Sequence, residues 1–255
     1  IGNFPIRLYG IFFSLGIISG CITAYFLLKK DRRGWESHMF DLGLVIAFAG
    51  IVGGRLWDVF FFDWEYYHNH LLEIPYIWQG GMAIQGGIIF ACIAAYFYLK
   101  KHQIPVLPFA DTVTPGIILG QAIGRIANFM NGDAFGHPTG QDFGLLYPDT
   151  TLAYHTYGAQ PLWPAEVWEC QGDLLIFVLL LWYGCKTRAE GTTFCLYIMF
   201  YSLLRFFLEN YRGDYGTLAL GLKSAQLTSL AAFAGAFILF LYFHFKHKSK
   251  SGISE

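Results

Sequence analysis

From Leu8 to Arg33 the chain reads LYGIFFSLGIISGCITAYFLLKKDRR, a run without charge closed by four cations in five residues. The uncharged part is close to the roughly 20 residues a helix needs to cross the hydrocarbon of a bilayer. No cleavable signal peptide is expected: no basic segment precedes the run, and it is too long for a signal-peptide core. The chain starts at Ile1 rather than Met, so a few residues are expected to precede it.

Six more stretches read the same way: Phe40 to Phe61, Gly81 to Leu99, Leu107 to Phe129, Trp163 to Trp182, Thr192 to Leu208, and Leu227 to Phe243. Only 14% of residues are charged and 55% are hydrophobic, whereas a soluble domain carries about a quarter charged residues. The expected fold is therefore all-α, a polytopic membrane bundle of about seven transmembrane helices. Apolar runs recur throughout, so residues 1–255 read as a single integral membrane domain. Five scattered cysteines, with no C-x-x-C pair, read as small apolar residues of membrane helices. A net charge of −1 gives no reason to expect nucleic acid as a partner.

Lysine and arginine set the orientation. Lys29, Lys30, Arg32, Arg33, Lys100, Lys101, Lys186, Arg188, Lys246, Lys248 and Lys250 follow alternate spans, on one side. By the positive-inside rule that side is cytoplasmic, with the N-terminus outside and the C-terminus inside. The opposite connections carry Asp63, Glu65, Glu73, Asp133, Asp142, Asp149 and Asp214. Of these connections, Asp63 to Gly80 is aromatic and suits the membrane interface. Residues 130–162 are polar and rich in Gly and Pro, and are expected to form a small external cap.

The remaining cations, Arg7, Arg55, Arg125, Arg205, Arg212 and Lys223, lie near outer helix ends. Arginine inside an apolar span costs a few kcal/mol unless it is paired or faces a polar cavity. Snorkelling to headgroup level is one resolution for each. For Arg55, Arg125 and Arg205 at similar depth, a shared anion-binding cavity is the better reading. Arg125 and Asn128 share a helix face, and Asn131-Gly132 breaks the helix before Asp133. Guanidinium and amide groups together suit a phosphate ester. Tyr201, Arg205, Glu209 and Arg212 form a second stripe, at spacings of four, four and three. Glu166, Glu169 and Asp173 recur on one face of the fifth span, which should look into the bundle.

From Gly124 to Gly136 the chain reads GRIANFMNGDAFG. It resembles the signature Gly-Arg-x-x-Asn-Phe-x-Asn-Gly-Glu-x-x-Gly of the prolipoprotein diacylglyceryl transferase family, with Asp133 in place of Glu. The resemblance runs nearly end to end. Ile6-Arg7-Leu8-Tyr9-Gly10 is similar to the family's opening motif, and Val52-Gly53-Gly54-Arg55-Leu56 to its second-helix motif. Trp163-Pro164 through Trp168-Glu169 resembles His-Pro-x-Gln-Leu-Tyr-Glu, with Trp163, Glu166 and Trp168 as departures. The Tyr201 to Arg212 stripe matches in type and spacing.

The resemblance implies a multi-pass enzyme of the bacterial inner membrane. Such an enzyme transfers the diacylglyceryl group of phosphatidylglycerol to the lipobox cysteine thiol of a prolipoprotein signal peptide, releasing glycerol phosphate. It implies no cofactor and no metal. Arg125 and Arg205 would be catalytic. Arg125, Asn128, Asn131, Asp133, Gly136, Tyr9, Arg55, Gln85, Tyr201, Glu209 and Arg212 would bind substrate, with Asp133 or Glu209 steadying the arginines. Gln85 stands where the family commonly has a histidine assigned as the base, and an amide cannot take that role. The thiolate would then come from the arginines' potential and the thiol's own ionisation, with His137 the histidine nearest the signature. The alternatives are a transporter or binding protein for an anionic amphiphile, or a catalytically inactive relative.

Overall fold

A computed structural model describes residues 8–184, 189–213 and 221–251. Ile6, Arg7, Cys185, Lys186, Arg188 and Asp214 lie outside the described residues, as does the side chain of Lys250. The described chain is helical, and besides its helices it makes only isolated β-bridges. Nine α-helices are named here in chain order: α1 (Leu8–Asp31), α2 (Met39–Trp57), α3 (Trp64–Tyr67), α4 (Ile84–Lys101), α5 (Val106–Asn131), α6 (Leu152–Tyr157), α7 (Ala165–Gly184), α8 (Thr192–Leu208) and α9 (Ser224–Ser251). The stretches Leu8–Asp31, Trp35–Phe62, Val106–Asn131, Thr192–Tyr211 and Ser224–Lys248 are long and apolar enough to cross a membrane. Side chains such as Phe26, Phe48 and Ile238 lie mostly bare on these helices, as expected where lipid is the solvent.

The chain divides into two compact units, residues 28–109 and the remainder. In the first, α2 runs into a π-helical turn, Asp58–Phe62, and packs against α4. Gly53 and Gly86 bring the two backbones together: a Cβ on Gly53 would meet the Gly86 carbonyl oxygen at 2.6 Å. The Ala83 amide donates to the Gly54 carbonyl at 3.0 Å. Helix α4 starts at Ile84, three residues after the apolar run begins. Gly80 and Gly81 take φ of 96° and 73°, and Ala83 is extended, so the chain turns before it can coil.

In the larger unit, Gly16 and Gly20 of α1 meet Gly120 and Gly116 of α5. A Cβ on Gly16 or Gly20 would lie 2.8 or 2.7 Å from the facing carbonyl oxygen. Such four-residue glycine spacing allows the closest approach helices can make in lipid. Helix α7 packs on α8, and α8 on α9. Ile118 of α5 joins Ile176 and Leu180 of α7 in a buried cluster, against which Leu196, Tyr197, Phe200, Tyr201 and Leu204 of α8 pack. Within residues 132–162, bridges from Leu162 to Pro138 and Leu145 surround a small buried cluster of Phe135, Ala153 and Leu162.

Candidate active site

The signature closes α5 in a way its residue types dictate. Gly132 takes φ 68°, and the Asp133 amide turns back to the Asn128 carbonyl at 3.2 Å. This fold-back puts the Asp133 carboxylate where both amides reach it, Asn128 Nδ2 at 2.6 Å and Asn131 Nδ2 at 2.7 Å. Asp133 thus orients the two asparagines. Arg125 donates to Asn128 Oδ1 at 3.3 Å, and its own counter-charge comes from a different helix.

That counter-charge is Glu169 of α7, which is fully buried. One oxygen faces Arg125 at 2.8 Å and accepts from the Tyr201 hydroxyl at 3.2 Å. The other faces Arg205 at 3.2 Å and Arg212 at 3.5 Å. Tyr201 also accepts from Arg125 at 3.3 Å. Glu209, equally buried, pairs with Arg205 at 3.0 Å and lies 3.9 Å from both Arg212 and Lys223. Among the described residues, four cations of this network therefore share two carboxylates. A carboxylate buried without such partners would cost several kcal/mol.

The cations are not equally available. The Arg125 and Arg205 side chains keep 20% and 15% of their surface, against 4% for Arg212. Lys223 points its ammonium at the backbone carbonyls of Glu209 and Arg212, at 2.9 and 2.5 Å. Arg212 and Lys223 thus fasten the framework, and Arg125 and Arg205 present it. Tyr9 on α1 lies within electrostatic reach of Arg125 and Asp133.

Gly136 sits where space is tightest. Its backbone bridges to Arg212, and a Cβ there would run into the Trp163 carbonyl oxygen. The His137 ring faces the Pro138 carbonyl at 2.9 Å and lies edge-on to Trp163. Trp163, where the family has histidine, also packs with Phe143, Trp168 and Tyr211.

In the smaller unit, Arg55 is nearly saturated by backbone. It donates to the carbonyls of Ile74 and Gly80 at 2.7 Å, and to those of Gly81 and Glu73 at 3.0 Å. Its guanidinium lies 4.8 Å from the Tyr67 ring centre and 3.9 Å from Asp58. Gln85 is exposed in the first turn of α4. The structure thus brings together Arg125, Asn128, Asn131, Asp133, Tyr201, Arg205, Glu209 and Arg212. The binding list read from sequence omitted Glu169, although the acidic face of α7 signalled it.

Residues 1–242 match the family model for prolipoprotein diacylglyceryl transferase. The chain belongs to the prolipoprotein diacylglyceryl transferase family. It is similar to the phosphatidylglycerol--prolipoprotein diacylglyceryl transferase of Staphylococcus saprophyticus, at 36% identity over 90% of this chain and 82% of the relative. A Clostridium botulinum protein of the same name is 36% identical over 90% of this chain and 89% of its own length. One from Halalkalibacterium halodurans is 33% identical over 95% and 84%. With the family in view, the ion-pair network spans three of the elements whose motifs marked the resemblance: the signature, the Trp163 to Glu169 element and the Tyr201 to Arg212 stripe.

Proposed function

We propose that this chain transfers the diacylglyceryl group of phosphatidylglycerol to the lipobox cysteine thiol of prolipoprotein signal peptides, releasing glycerol phosphate. In this reading it crosses the bacterial inner membrane seven times, N-terminus outside and C-terminus in the cytoplasm, with residues 130–162 as an external cap. The observation that carries the reading is the pair of partly exposed guanidiniums, Arg125 and Arg205, held on one buried carboxylate.

The chemistry follows from where charge develops. The thiol sulfur attacks the glyceryl carbon bonded to phosphate oxygen, and that C–O bond breaks with its electron pair going to the phosphate. Negative charge gathers on the leaving phosphate, where fixed guanidiniums are worth most in a site shielded from water. Glu169 and Glu209 hold those cations in place before substrate arrives, so little reorganisation is left for the reaction itself. Asn128 and Asn131, steadied by Asp133, and Tyr201 orient the headgroup. The same positive potential raises the thiolate fraction of the incoming cysteine. Gaps toward the bilayer admit the lipid.

The test is a reconstituted assay of the purified chain in phosphatidylglycerol vesicles with a lipobox peptide. The peptide should gain the mass of one diacylglyceryl group. A peptide left unmodified while labelled lipid changes leaflet would replace this reading with that of a transporter. Reporters fused after Lys30 or Lys101 should register cytoplasm, and those between Gly140 and Gly158 the outside; an external signal at Lys101 would invert the topology.

A further inference from the structure

The attacking thiol must lose a proton, and the carboxylates of the site are mostly committed. Glu169 and Glu209 hold arginines, Asp133 holds two amides, and Glu166 makes contacts of its own. Asp173 differs. It lies one turn along α7 from Glu169 and on the same face, and it is fully buried. Neither of its oxygens has a hydrogen-bond partner among the described residues. A buried carboxyl group without partners is costly, and such groups are rare in folded proteins unless they serve a purpose.

The groups acting on it come from three helices. Glu169 and Cys170 lie on its own, Arg125 on α5, and Tyr201 and Arg205 on α8. Asp173 therefore lies within electrostatic reach of the cations that would hold the phosphate, with no ion pair to either among the described residues.

We propose that Asp173 accepts the proton of the attacking thiol. The inference rests on the arginine-site reading above. In an in-line displacement the nucleophile enters on the side of the carbon opposite the leaving oxygen. With that oxygen at Arg125 and Arg205, the sulfur's proton acceptor belongs several ångströms away from the guanidiniums. Four helical residues rise about 6 Å, and that is the step from Glu169 to Asp173. The S–H bond breaks and its proton passes to an Asp173 oxygen. The sulfur electron pair forms the S–C bond, and the C–O pair leaves with the phosphate. Asp173 then returns the proton to glycerol phosphate as it departs. Hydrogen bonds of this kind tighten only when substrate is bound, so a closed site without substrate is expected.

The test compares wild type, Asp173→Asn and Asp173→Glu in phosphatidylglycerol vesicles with a lipobox peptide, from pH 6.5 to 9.5. Asp173→Asn should lose about a hundredfold in rate at pH 7, as loss of a general base does. Its deficit should shrink as pH rises, because a thiol ionises unaided near pH ~8.5. Equilibrium binding of phosphatidylglycerol should persist, and Asp173→Glu should keep far more activity than Asp173→Asn. Wild-type rates at pH 7 from Asp173→Asn, a deficit equal at every pH, or equal losses in both variants would overturn the proposal. Full activity in Arg125→Lys would instead remove the site reading beneath it, so the two failures are distinguishable.

Discussion

Two arginines that look alike in sequence, Arg55 and Arg125, end in opposite circumstances. Each sits within the last two turns of an apolar helix, one following Gly54 and the other Gly124. Arg55 spends its donors on four backbone carbonyls between Glu73 and Gly81. Those carbonyls belong to the chain between α3 and α4, which Arg55 ties back to α2. Arg125 is held by side chains, shares its carboxylate with two more arginines, and keeps a fifth of its surface open. An arginine satisfied by carbonyls shapes the chain. An arginine held on a shared carboxylate keeps charge in reserve for a ligand.

The comparison breaks most severely at Glu169. Glu169→Gln leaves three guanidiniums without their common counter-charge, and should cost about 3–5 kcal/mol of stability together with nearly all transfer. Thermal unfolding in detergent and the peptide-mass assay read the two losses; wild-type melting would refute the shared-carboxylate account. Arg125→Lys comes second. It keeps the charge and loses the planar fork, for an expected cost of about 3 kcal/mol, or a hundredfold in rate, with Arg205→Lys alike. Unchanged turnover in a folded variant would tell against leaving-group stabilisation.

The third substitution probes the other side of the contrast. Arg55→Lys replaces a four-carbonyl clamp by one ammonium, and should lower the melting temperature while costing about tenfold or less in rate. A loss matching that of Arg125→Lys would mean that Arg55 also meets phosphate. Smallest of all is Gln85→His, expected to change the rate by less than about tenfold. A much larger gain would mark that position as the place for a base.

Most of the helices were legible because lipid writes its demand as uncharged length. Thr192–Leu208 matches the apolar run end for end, while α9 overruns Leu227 to Phe243 at both ends. Hydropathy reports the depth of hydrocarbon, and a helix is free to continue beyond it. The site was legible where its partners lie within a turn or two, as with Arg205 and Glu209 or Arg125 and Asn128, although Asp133, expected to steady the arginines, holds Asn128 and Asn131 instead. It was not legible where they lie on different helices. The acidic face of α7 was visible and its inward aim expected, yet nothing in the spacing said that Glu169 would gather Arg125, Arg205 and Arg212. The partners of Arg55 were not legible either, because they are carbonyls, which every residue has and no side-chain pattern reveals.

The glycine seam between α1 and α5 has a bearing on traffic. At Gly16, Gly20, Gly116 and Gly120 the two helices touch through their main chains, and these four positions carry no side chain that could swing aside. A lipid carrying two acyl tails cannot slip through such a joint, and opening it would strip packing that lipid tails do not replace. Whichever gap serves as the doorway for phosphatidylglycerol and the exit for the lipidated product, this one is shut, and a mutational search for the route can begin elsewhere.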